Sequence, residues 1–258
     1  MQLQDKVALV TGGTAGIGRG IAAAYLREGA MVAVNGRRQE KGEETLAVLG
    51  GGDRAVFLQG DVMQEDDVNR LVDATVERFG RIDILVNNAG GGWGHKNVVD
   101  ADAATFEAVL RFNVMSTFWA TKRALHHMIP QRFGRIINMS SVEGKHGKGG
   151  ISSYVTSKHA INGFTKSVAR EVAEHNVTCN ALCPGLIMTD IFRETGPSAA
   201  EAMGITFEEL IELFTSESAI KRTNTVEEVA AVAVLLATDV AAGLTGSLYN
   251  VDGGTAAY

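Results

Sequence analysis

The side chains with the clearest chemistry are a tyrosine and a lysine four residues apart, Tyr154 and Lys158, with Ser141 thirteen residues upstream. If this segment is helical, positions i and i+4 lie on one face, so the phenol and the ammonium group can share a site. A phenol with a pKa near ~10 is a poor acid–base group at neutral pH, but a neighbouring ammonium group favours its ionised form. The spacing therefore predicts a tyrosine whose pKa is lowered toward the working range and which exchanges a proton with a reacting oxygen.

A glycine-rich turn near the N-terminus predicts a phosphate-binding site. Gly12, Gly16 and Gly18 follow an apolar run at 7–10 and open a helical pattern. Glycines let the backbone turn tightly and approach a pyrophosphate, whose charge is favoured at a helix N-terminus. The spacing is G-x3-G-x-G rather than the common G-x-G-x-x-G of dinucleotide-binding folds. A dinucleotide beside a proton-exchanging tyrosine indicates redox chemistry at a carbonyl group.

The order of the predicted elements indicates an α/β fold. Short apolar runs predict seven buried strands, at 7–10, 32–34, 56–58, 84–86, 136–137, 177–182 and 248–251. Helical patterns lie between them, at about 16–28, 38–49, 65–79, 102–129, 153–175 and 226–237. This alternation predicts a parallel sheet with helices on both faces, and right-handed crossovers limit its topology to a doubly wound sheet.

The stretch 186–224 interrupts the alternation, because it carries no strand pattern. Within it, Thr206 and Glu209 form a capping box, which predicts the start of a helix. The apolar residues that follow share one helical face: Phe207, Leu210, Ile211 and Phe214. An amphipathic helix here would lie over the carboxyl edge of the sheet, where ligands bind in open α/β folds. We therefore expect a substrate lid at 186–224; the alternative is a helix that packs only on its own subunit or a neighbouring one.

Seven short motifs, in order and at matching spacing, resemble those of the short-chain dehydrogenase/reductase family. They are TGGTAGIG at 11–18, NNAG at 87–90, Asn113, Ser141, the Tyr154-x-x-x-Lys158 pair, Pro184-Gly185 and VDGG at 251–254. The resemblance covers residues 6–254. It implies one Rossmann-like domain over 1–258, a three-layer α/β sandwich with seven parallel strands in the order 3-2-1-4-5-6-7. It also implies a homotetramer, in which the helices at 102–129 and 153–175 pack against their equivalents in a partner.

The same resemblance implies a role for each of four catalytic residues. Tyr154 would be the general acid in carbonyl reduction and the general base in alcohol oxidation. Lys158 would hold the nicotinamide ribose and lower the pKa of Tyr154. Ser141 would donate a hydrogen bond to the substrate oxygen as charge develops there. Asn113 would anchor a water that links Lys158 to solvent. Ser140 could be mistaken for the catalytic serine, but the thirteen-residue separation from Tyr154 favours Ser141.

The resemblance also implies a binding site for a nicotinamide dinucleotide. The matching residues are Gly12, Thr14, Gly16, Ile17, Gly18, Arg37, Asp61, Val62, Asn88, Ala89, Gly90, Tyr154, Lys158, Pro184, Gly185, Ile187 and Thr189. Asp61 and Val62 would hold the adenine ring, and the segment 88–90 would lie beside the adenosine ribose. Thr189 would contact the nicotinamide carboxamide, and Ile187 would add backbone contacts.

The choice between the two nicotinamide cofactors is predicted by the second strand. An acidic residue about twenty positions beyond the glycine turn usually accepts the ribose hydroxyls of NAD. Here that position is Gly36, and Arg37 and Arg38 follow it. Without a carboxylate there is no repulsion of a 2′-phosphate, and a guanidinium group can pair with one bidentately. We therefore expect NADP(H) to be preferred over NAD(H).

Composition excludes several classes of function. The 258 residues carry a net charge of −6 without a run of basic residues, which argues against a nucleic-acid partner. The start of the chain lacks a secretory pattern, and the most apolar later stretch, 229–237, is too short to span a bilayer. We therefore expect a cytoplasmic protein without a membrane partner. No cluster of His, Cys, Asp and Glu has the spacing of metal ligands, so no metal is expected.

Three functions are consistent with these features. The first is an NADPH-dependent reductase of a ketone or 3-oxoacyl thioester, since the chain resembles 3-oxoacyl-thioester reductases and polyketide ketoreductases. The second is an NAD-linked dehydrogenase of a secondary alcohol or 3-hydroxy acid, since it also resembles 3-hydroxybutyrate dehydrogenases. The third is a non-catalytic cofactor-binding sensor or scaffold. The loop residues Lys145 and Lys148 either attract an anionic or carrier-bound substrate or are simply solvated, and His146 between them is a candidate for the substrate mouth.

Overall fold

The computed structural model describes residues 1–256, so the last two residues of the predicted domain 1–258 lie outside the described residues. Seven strands form one sheet: β1 Val7–Val10, β2 Met31–Gly36, β3 Ala55–Gln59, β4 Ile84–Asn87, β5 Gly134–Met139, β6 Val177–Pro184 and β7 Leu248–Val251. Every neighbouring pair is parallel, and the strand order is β3-β2-β1-β4-β5-β6-β7. This confirms the predicted doubly wound α/β architecture and its order 3-2-1-4-5-6-7.

Helices cover both faces of the sheet. They are α1 Gly16–Arg27, α2 Gln39–Leu49, α3 Glu65–Phe79, α4 Ala103–Leu110, α5 Ser116–Gln131, α6 Ser152–Val172, α7 Asp190–Ala202, α8 Phe207–Ser216 and α9 Val226–Ala237. On one face, Ile21 and Tyr25 of α1 join Leu236 of α9 in an apolar cluster with the strands. On the other, the cluster contains Leu71 of α3 and Met128 of α5, together with residues of α6. Burial of these two apolar faces holds the three layers together.

The helix predicted at 102–129 is observed at 103–131, with one irregular turn in its middle. That turn, Arg111–Met115, is π-helical, joins α4 to α5 and contains Asn113. The Asn113 side chain donates to the carbonyl oxygens of Val109 and Gly91, at 2.8 and 2.7 Å, so it competes for backbone groups that a regular helix would use. Such single-turn insertions are frequent at functional sites.

The stretch 186–224 contains two helices where the sequence predicted one. The capping box of Thr206 and Glu209 starts α8 as expected. The prediction missed α7, because Gly196 and Pro197 read as helix breakers but lie inside it. The glycine is required by packing: a Cβ at position 196 would lie 2.3 Å from a ring carbon of Phe207 on α8.

The parallel topology brings the carboxyl ends of the strands to one edge. The glycine turn follows β1, Arg37 follows β2, Asn88 follows β4 and Ser141 follows β5. Residues far apart in sequence thereby meet at the edge where open α/β sheets bind ligands. Within residues 1–256, no helix combines the length and apolar character needed to cross a membrane.

Candidate active site

A cavity of about 700 Å³ opens at this carboxyl edge. All the predicted cofactor-binding residues line it except Gly18 and Asp61. Of the four predicted catalytic residues, Ser141, Tyr154 and Lys158 line it, whereas Asn113 lies behind its wall. The fold thus gathers residues that follow six of the strands, β1 to β6, around one cavity.

The glycine turn forms a close-packed floor for this cavity. Gly12 and Gly16 have positive φ angles of 61° and 50°, which a side chain would strain. Gly18 does not face the cavity, because a Cβ there would lie 2.5 Å from both the amide nitrogen of Asn88 and the carbonyl oxygen of Gly12. No side chain caps the start of α1 at Ala15, so the first N–H groups of this helix are available to an anion.

The end of β2 supplies positive charge. Arg37 and Arg38 are exposed at the cavity rim, and their guanidinium groups form no hydrogen bond or ion pair with any other residue in the described range 1–256. A Cβ at position 36 would lie 2.7 Å from Cγ2 of Thr14, so a larger residue there would displace the Thr14 side chain. The glycine thus packs closely against the turn and brings no carboxylate to the rim.

Two residues predicted to contact the cofactor, Asp61 and Asn88, form side-chain hydrogen bonds to the backbone of the turns at this edge. Asp61 accepts a hydrogen bond from the backbone N–H of Met63 at 3.0 Å and stays outside the cavity lining, whereas Val62 beside it lines the cavity. Asn88 lines the cavity, but its amide group donates to the carbonyl oxygens of Thr11 and Gly12, at 2.9 and 3.1 Å. Asn88 therefore fixes the glycine turn against the end of β4.

Lys158 is buried next to Tyr154. Its amino group donates to the carbonyl oxygen of Met139 at 2.8 Å and lies 5.3 Å from the centre of the Tyr154 ring. Burial lowers the pKa of Lys158 to about 8, and the nearby Cys183 acts weakly in the opposite direction. The helix α6 therefore brings the two groups together as the i, i+4 spacing predicted.

The pKa of Tyr154 differs from the expectation. Burial raises the pKa of Tyr154, a hydrogen bond with Ser141 acts against this, and the charge of Glu143 adds to it. Lys158 does not produce the predicted lowering, and its amino group is hydrogen-bonded to the carbonyl oxygen of Met139 and not to the phenol. In the protein without ligand, Tyr154 is thus held as the phenol.

The adjacent serines are distinguished by their partners. The hydroxyl of Ser140 donates to the carbonyl oxygen of Lys158 at 3.3 Å. The hydroxyl of Ser141 accepts from the backbone N–H of Glu143 at 3.2 Å and interacts with Tyr154. Ser141, and not Ser140, therefore interacts with the phenol of Tyr154. This is the serine that the sequence spacing favoured.

Asn113 lies behind the cavity wall, against the glycines that follow β4. Its Oδ1 accepts from the backbone N–H of Gly91 at 3.0 Å. A Cβ on Gly90 would lie 2.6 Å from that oxygen and 3.4 Å from the amino group of Lys158. The π-helical turn therefore places Asn113 beside Lys158 and against the glycines after β4. Its role in a water relay stays a prediction.

The start of α7 closes the opposite side. Pro184, Gly185 and Ile187 line the cavity, and the hydroxyl of Thr189 accepts from the backbone N–H of Phe192 as the helix N-cap. Asp190, the first residue of α7, forms an ion pair with Arg19 of α1. This contact between the 186–224 stretch and α1 was not predicted, since nothing in the sequence links two surface charges so far apart.

Several lining residues were missed by sequence reasoning. Lys41 and Thr45 lie on α2, one and two turns beyond Arg37, and Met139 ends β5. A helical projection from Arg37 could have found the α2 residues. Within residues 1–256, no group of three or more His, Cys, Asp and Glu side chains is arranged to hold a metal ion.

These features fit a nicotinamide dinucleotide. Glycines without room for Cβ atoms permit close backbone approach, and the uncapped N-terminus of α1 suits a pyrophosphate. The cationic rim suits a further phosphate. At the other end, Ser141, Tyr154 and Lys158 offer a hydroxyl, a phenol and an amine within one wall.

Comparisons with known proteins agree with this geometry. A family model described as short chain dehydrogenase matches residues 6–200. The 3-oxoacyl-acyl-carrier-protein reductase of Aquifex aeolicus is 35% identical over 256 residues, covering 98% of this chain and 98% of that protein. The D-beta-hydroxybutyrate dehydrogenase of Rhizobium meliloti is 36% identical over 253 residues, covering 96% of this chain and 98% of that protein.

A solved structure extends the similarity to three dimensions. The crystal structure of a variant of actinorhodin polyketide ketoreductase with NADPH has a TM-score of 0.93 to this chain at 34% identity. The match covers 100% of this chain and 99% of that one. Similarity over whole chains thus includes the 186–224 stretch as well as the glycine turn.

Proposed function

The chain belongs to the short-chain dehydrogenase/reductase family of oxidoreductases, which act on CH–OH and keto groups, and we propose that it uses NADPH to reduce a ketone or a 3-oxoacyl thioester. The observation that carries the proposal is a single cavity with Ser141, Tyr154 and Lys158 at one end and a cationic rim at the other. The NADPH in the actinorhodin ketoreductase crystal and the name of the Aquifex aeolicus reductase support it.

The proton chemistry follows from Tyr154. NADPH, when bound, supplies the hydride. Tyr154 donates the proton that the carbonyl oxygen needs, and its raised pKa favours the phenol form that can donate it. Ser141 stabilises the negative charge on that oxygen through a hydrogen bond. Both groups act without a metal ion, through position and electrostatics.

Lys158 and Asn113 support the reacting groups. The family resemblance implies that Lys158 holds the nicotinamide ribose. The hydrogen bond to the Met139 carbonyl oxygen holds its amino group at the cavity wall. Asn113 fixes the backbone of Gly91 and keeps the cavity wall beside Lys158 in place. We propose that the relay of protons from solvent to Tyr154 passes this pair.

The preference for NADP(H) is supported at the rim. Arg37 and Arg38 carry guanidinium groups without partners in the described range 1–256, so a 2′-phosphate does not have to displace an existing ion pair. Position 36 is a glycine packed against Thr14, so it brings no carboxylate that would repel the phosphate. The pair would accept the phosphate in the bidentate geometry typical of arginine.

We propose that residues 186–224 act as a lid over the substrate. Its two helices pack through three phenylalanines. The ring centre of Phe192 on α7 lies 5.6 Å from that of Phe207 and 6.5 Å from that of Phe214, both on α8. Aromatic pairs of this kind hold the two helices together and carry an apolar surface that suits an apolar substrate chain. The Arg19–Asp190 ion pair ties the start of this lid to the cofactor helix.

We propose further that the protein is a homotetramer in the cytoplasm. The outer faces of α5 and α6 form an apolar groove of about 460 Å³ that includes Phe118, Leu125, Ile129 and Phe164. Phe118 is 39% exposed and lies in this groove against Phe164, so the exposed apolar surface is shared by both helices. A second copy of the same face would cover it.

The decisive experiment is an absorbance assay of NADPH and NADH consumption. The substrates are 3-oxoacyl thioesters, cyclic ketones and hydroxy acids, the last assayed with NADP⁺ and NAD⁺. We expect NADPH-dependent reduction of ketones or thioesters. Turnover confined to hydroxy acids with NAD⁺ would establish the second function, which the Rhizobium meliloti relative favours. Cofactor binding without any turnover would leave a sensor or scaffold.

A further inference from the structure

An ion pair joins the first turn of α7 to the first turn of α1 in the wall of the cavity. A Cβ on Gly16 would lie 3.3 Å from Cγ2 of Thr189, the N-cap residue of α7. Next to this contact, the guanidinium group of Arg19 on α1 donates a hydrogen bond to the carboxylate of Asp190, the first residue of α7. All four residues line the cavity of about 700 Å³ that contains the proposed dinucleotide site. Within residues 1–256, no other hydrogen bond or ion pair links the side chains of these two helices.

The two helix ends act in opposite ways on an anion in this cavity. The start of α1 has no side-chain cap, so its N–H groups and the positive end of its dipole favour a pyrophosphate. The start of α7 brings carboxylates, since Asp190 and Glu194 both line the cavity. Asp190 in the first turn stabilises α7 through the dipole of that helix, but its carboxylate repels an anion bound alongside. A pyrophosphate site bounded by α7 therefore needs a cation against this carboxylate.

Arg19 supplies that cation to Asp190 alone. Its guanidinium group has no other hydrogen-bond or ion-pair partner within residues 1–256. Glu194 forms no ion pair in the same range and is exposed, so solvent screens its charge. Asp190 directly follows Thr189, which contacts the glycine turn, so its carboxylate is held beside the first turn of α1. The side chains of Arg19 and Asp190 are 37% and 63% exposed, so the electrostatic effect of the pair is moderate.

We propose that Arg19 is a positioning residue that neutralises Asp190, so that the start of α7 can lie beside a bound pyrophosphate. The inference rests on the proposed use of a nicotinamide dinucleotide. Arg19 then aids cofactor binding by acting on Asp190, and it is dispensable where that carboxylate is absent. Because NADPH and NADH both contain the pyrophosphate, the effect on the two cofactors is equal. This separates Arg19 from Arg37 and Arg38, whose proposed partner is the 2′-phosphate of NADPH alone.

The test is a double-variant cycle on cofactor affinity, measured by fluorescence titration without substrate. Arg19→Met keeps an unbranched side chain but leaves Asp190 unpaired, so Kd should rise about fivefold for NADPH and for NADH alike. Asp190→Asn removes the repelling charge and should leave both Kd values no higher than in the wild type. Arg19→Met combined with Asp190→Asn should bind both cofactors within about twofold of the wild type. Arg19→Lys, which keeps the charge, should do the same.

Controls separate the possible failures. Arg27→Met removes a cation from the last turn of α1 and should leave Kd unchanged, and Glu201→Gln near the end of α7 should not rescue Arg19→Met. Melting temperatures report whether each variant has folded, and Arg19→Gln replaces Arg19→Met if the latter has not. An unchanged Kd in the folded Arg19→Met protein, or the absence of rescue by Asp190→Asn, overturns the inference. A wild-type protein that binds neither cofactor would instead contradict the proposed function.

Discussion

The amino group of Lys158 lies 5.3 Å from the centre of the Tyr154 ring, one helical turn away on α6. The two groups are adjacent before any ligand binds, but the amine is hydrogen-bonded to the Met139 carbonyl and not to the phenol. The helical spacing therefore fixes where the two side chains lie relative to each other. Burial is the main cause of the shift in the pKa of each group. A site with a neutral phenol and a weakly held lysine proton is suited to carbonyl reduction.

The first prediction concerns the Tyr154 hydroxyl. Tyr154→Phe should lower kcat for ketone reduction by at least about a thousandfold, because it removes the proton donor and leaves the ring in place. The Kd for NADPH, measured by fluorescence titration, should change by less than about twofold. Tyr249→Phe, which removes a phenol from β7, is the matched control and should keep full activity. Substantial residual turnover in Tyr154→Phe would refute the role of this residue.

The second prediction concerns the buried Lys158. Its pKa is lowered to about 8 in the folded protein, so below pH 8 the ammonium form is present in both states and its burial opposes folding. As the pH rises toward 10.5, Lys158 loses its proton in the folded state before it does so in the unfolded state. The free-energy cost of burying the ammonium group then disappears, so the folded protein becomes more stable. The stability of the wild type relative to Lys158→Met should therefore rise by about 3 kcal/mol between pH 7 and pH 10.5.

Urea denaturation of both proteins across this pH range provides the measurement. The difference between the two curves is needed because the raised pKa values of Tyr25, Tyr154 and Cys179 act with the opposite sign. Those groups remain in both proteins and cancel. A difference that is independent of pH would show that Lys158 has an ordinary pKa in the folded protein.

Much of the fold follows from the sequence, because burial on both faces gives parallel strands a plain apolar pattern. Each predicted strand corresponds to an observed one, with ends that differ by no more than a few residues. The errors occur where local patterns are overridden by packing. Gly196 and Pro197 read as breakers, yet Phe207 needs the glycine and the helix α7 accommodates both. The π-helical turn at Asn113 has no periodic signature at all.

The site was predictable where its residues belong to spaced motifs, as with Ser141, Tyr154 and Lys158. It was not predictable where tertiary contacts decide. The pKa of Tyr154 moved opposite to the expectation, because burial raises it by more than the hydrogen bond with Ser141 lowers it. Similarly, Glu143 has no motif that marks it as buried, and only the fold reveals its place beside Ser141.

A third prediction addresses the cofactor. The double variant Arg37→Ala with Arg38→Ala should weaken NADPH binding by at least about tenfold, since charge-assisted hydrogen bonds to a phosphate contribute about 1.5–3 kcal/mol. Binding of NADH, which lacks that phosphate, should change little. Isothermal titration with both cofactors gives the ratio, and Arg170→Ala, on the exposed last turn of α6, is the control. A wild-type protein that binds NADH more tightly than NADPH would disprove the preference.

A fourth prediction concerns assembly. Phe118→Glu places a charge in the apolar groove between α5 and α6, where Phe118 packs edge-on against Phe164 with ring centres 6.2 Å apart. Burying that charge between two copies would be costly, so the variant should have a lower molar mass in light scattering than a tetrameric wild type. Val240→Glu, at an equally apolar but isolated exposed position, should not dissociate it. A monomeric wild type would contradict the proposal.

The last prediction tests the lid. Gly196→Val places a side chain against Phe207, where even a Cβ would lie 2.3 Å from the ring, so α7 and α8 cannot keep their packing. Overpacking of this kind costs about 1–3 kcal/mol. Because the strain is confined to 186–224, it should oppose closure over the substrate and raise KM by about tenfold, while Kd for NADPH changes by less than about twofold. Gly243→Val, where a Cβ would meet open space, is the control. Equal weakening of cofactor and substrate binding would show that the stretch supports the whole cavity and is not a lid.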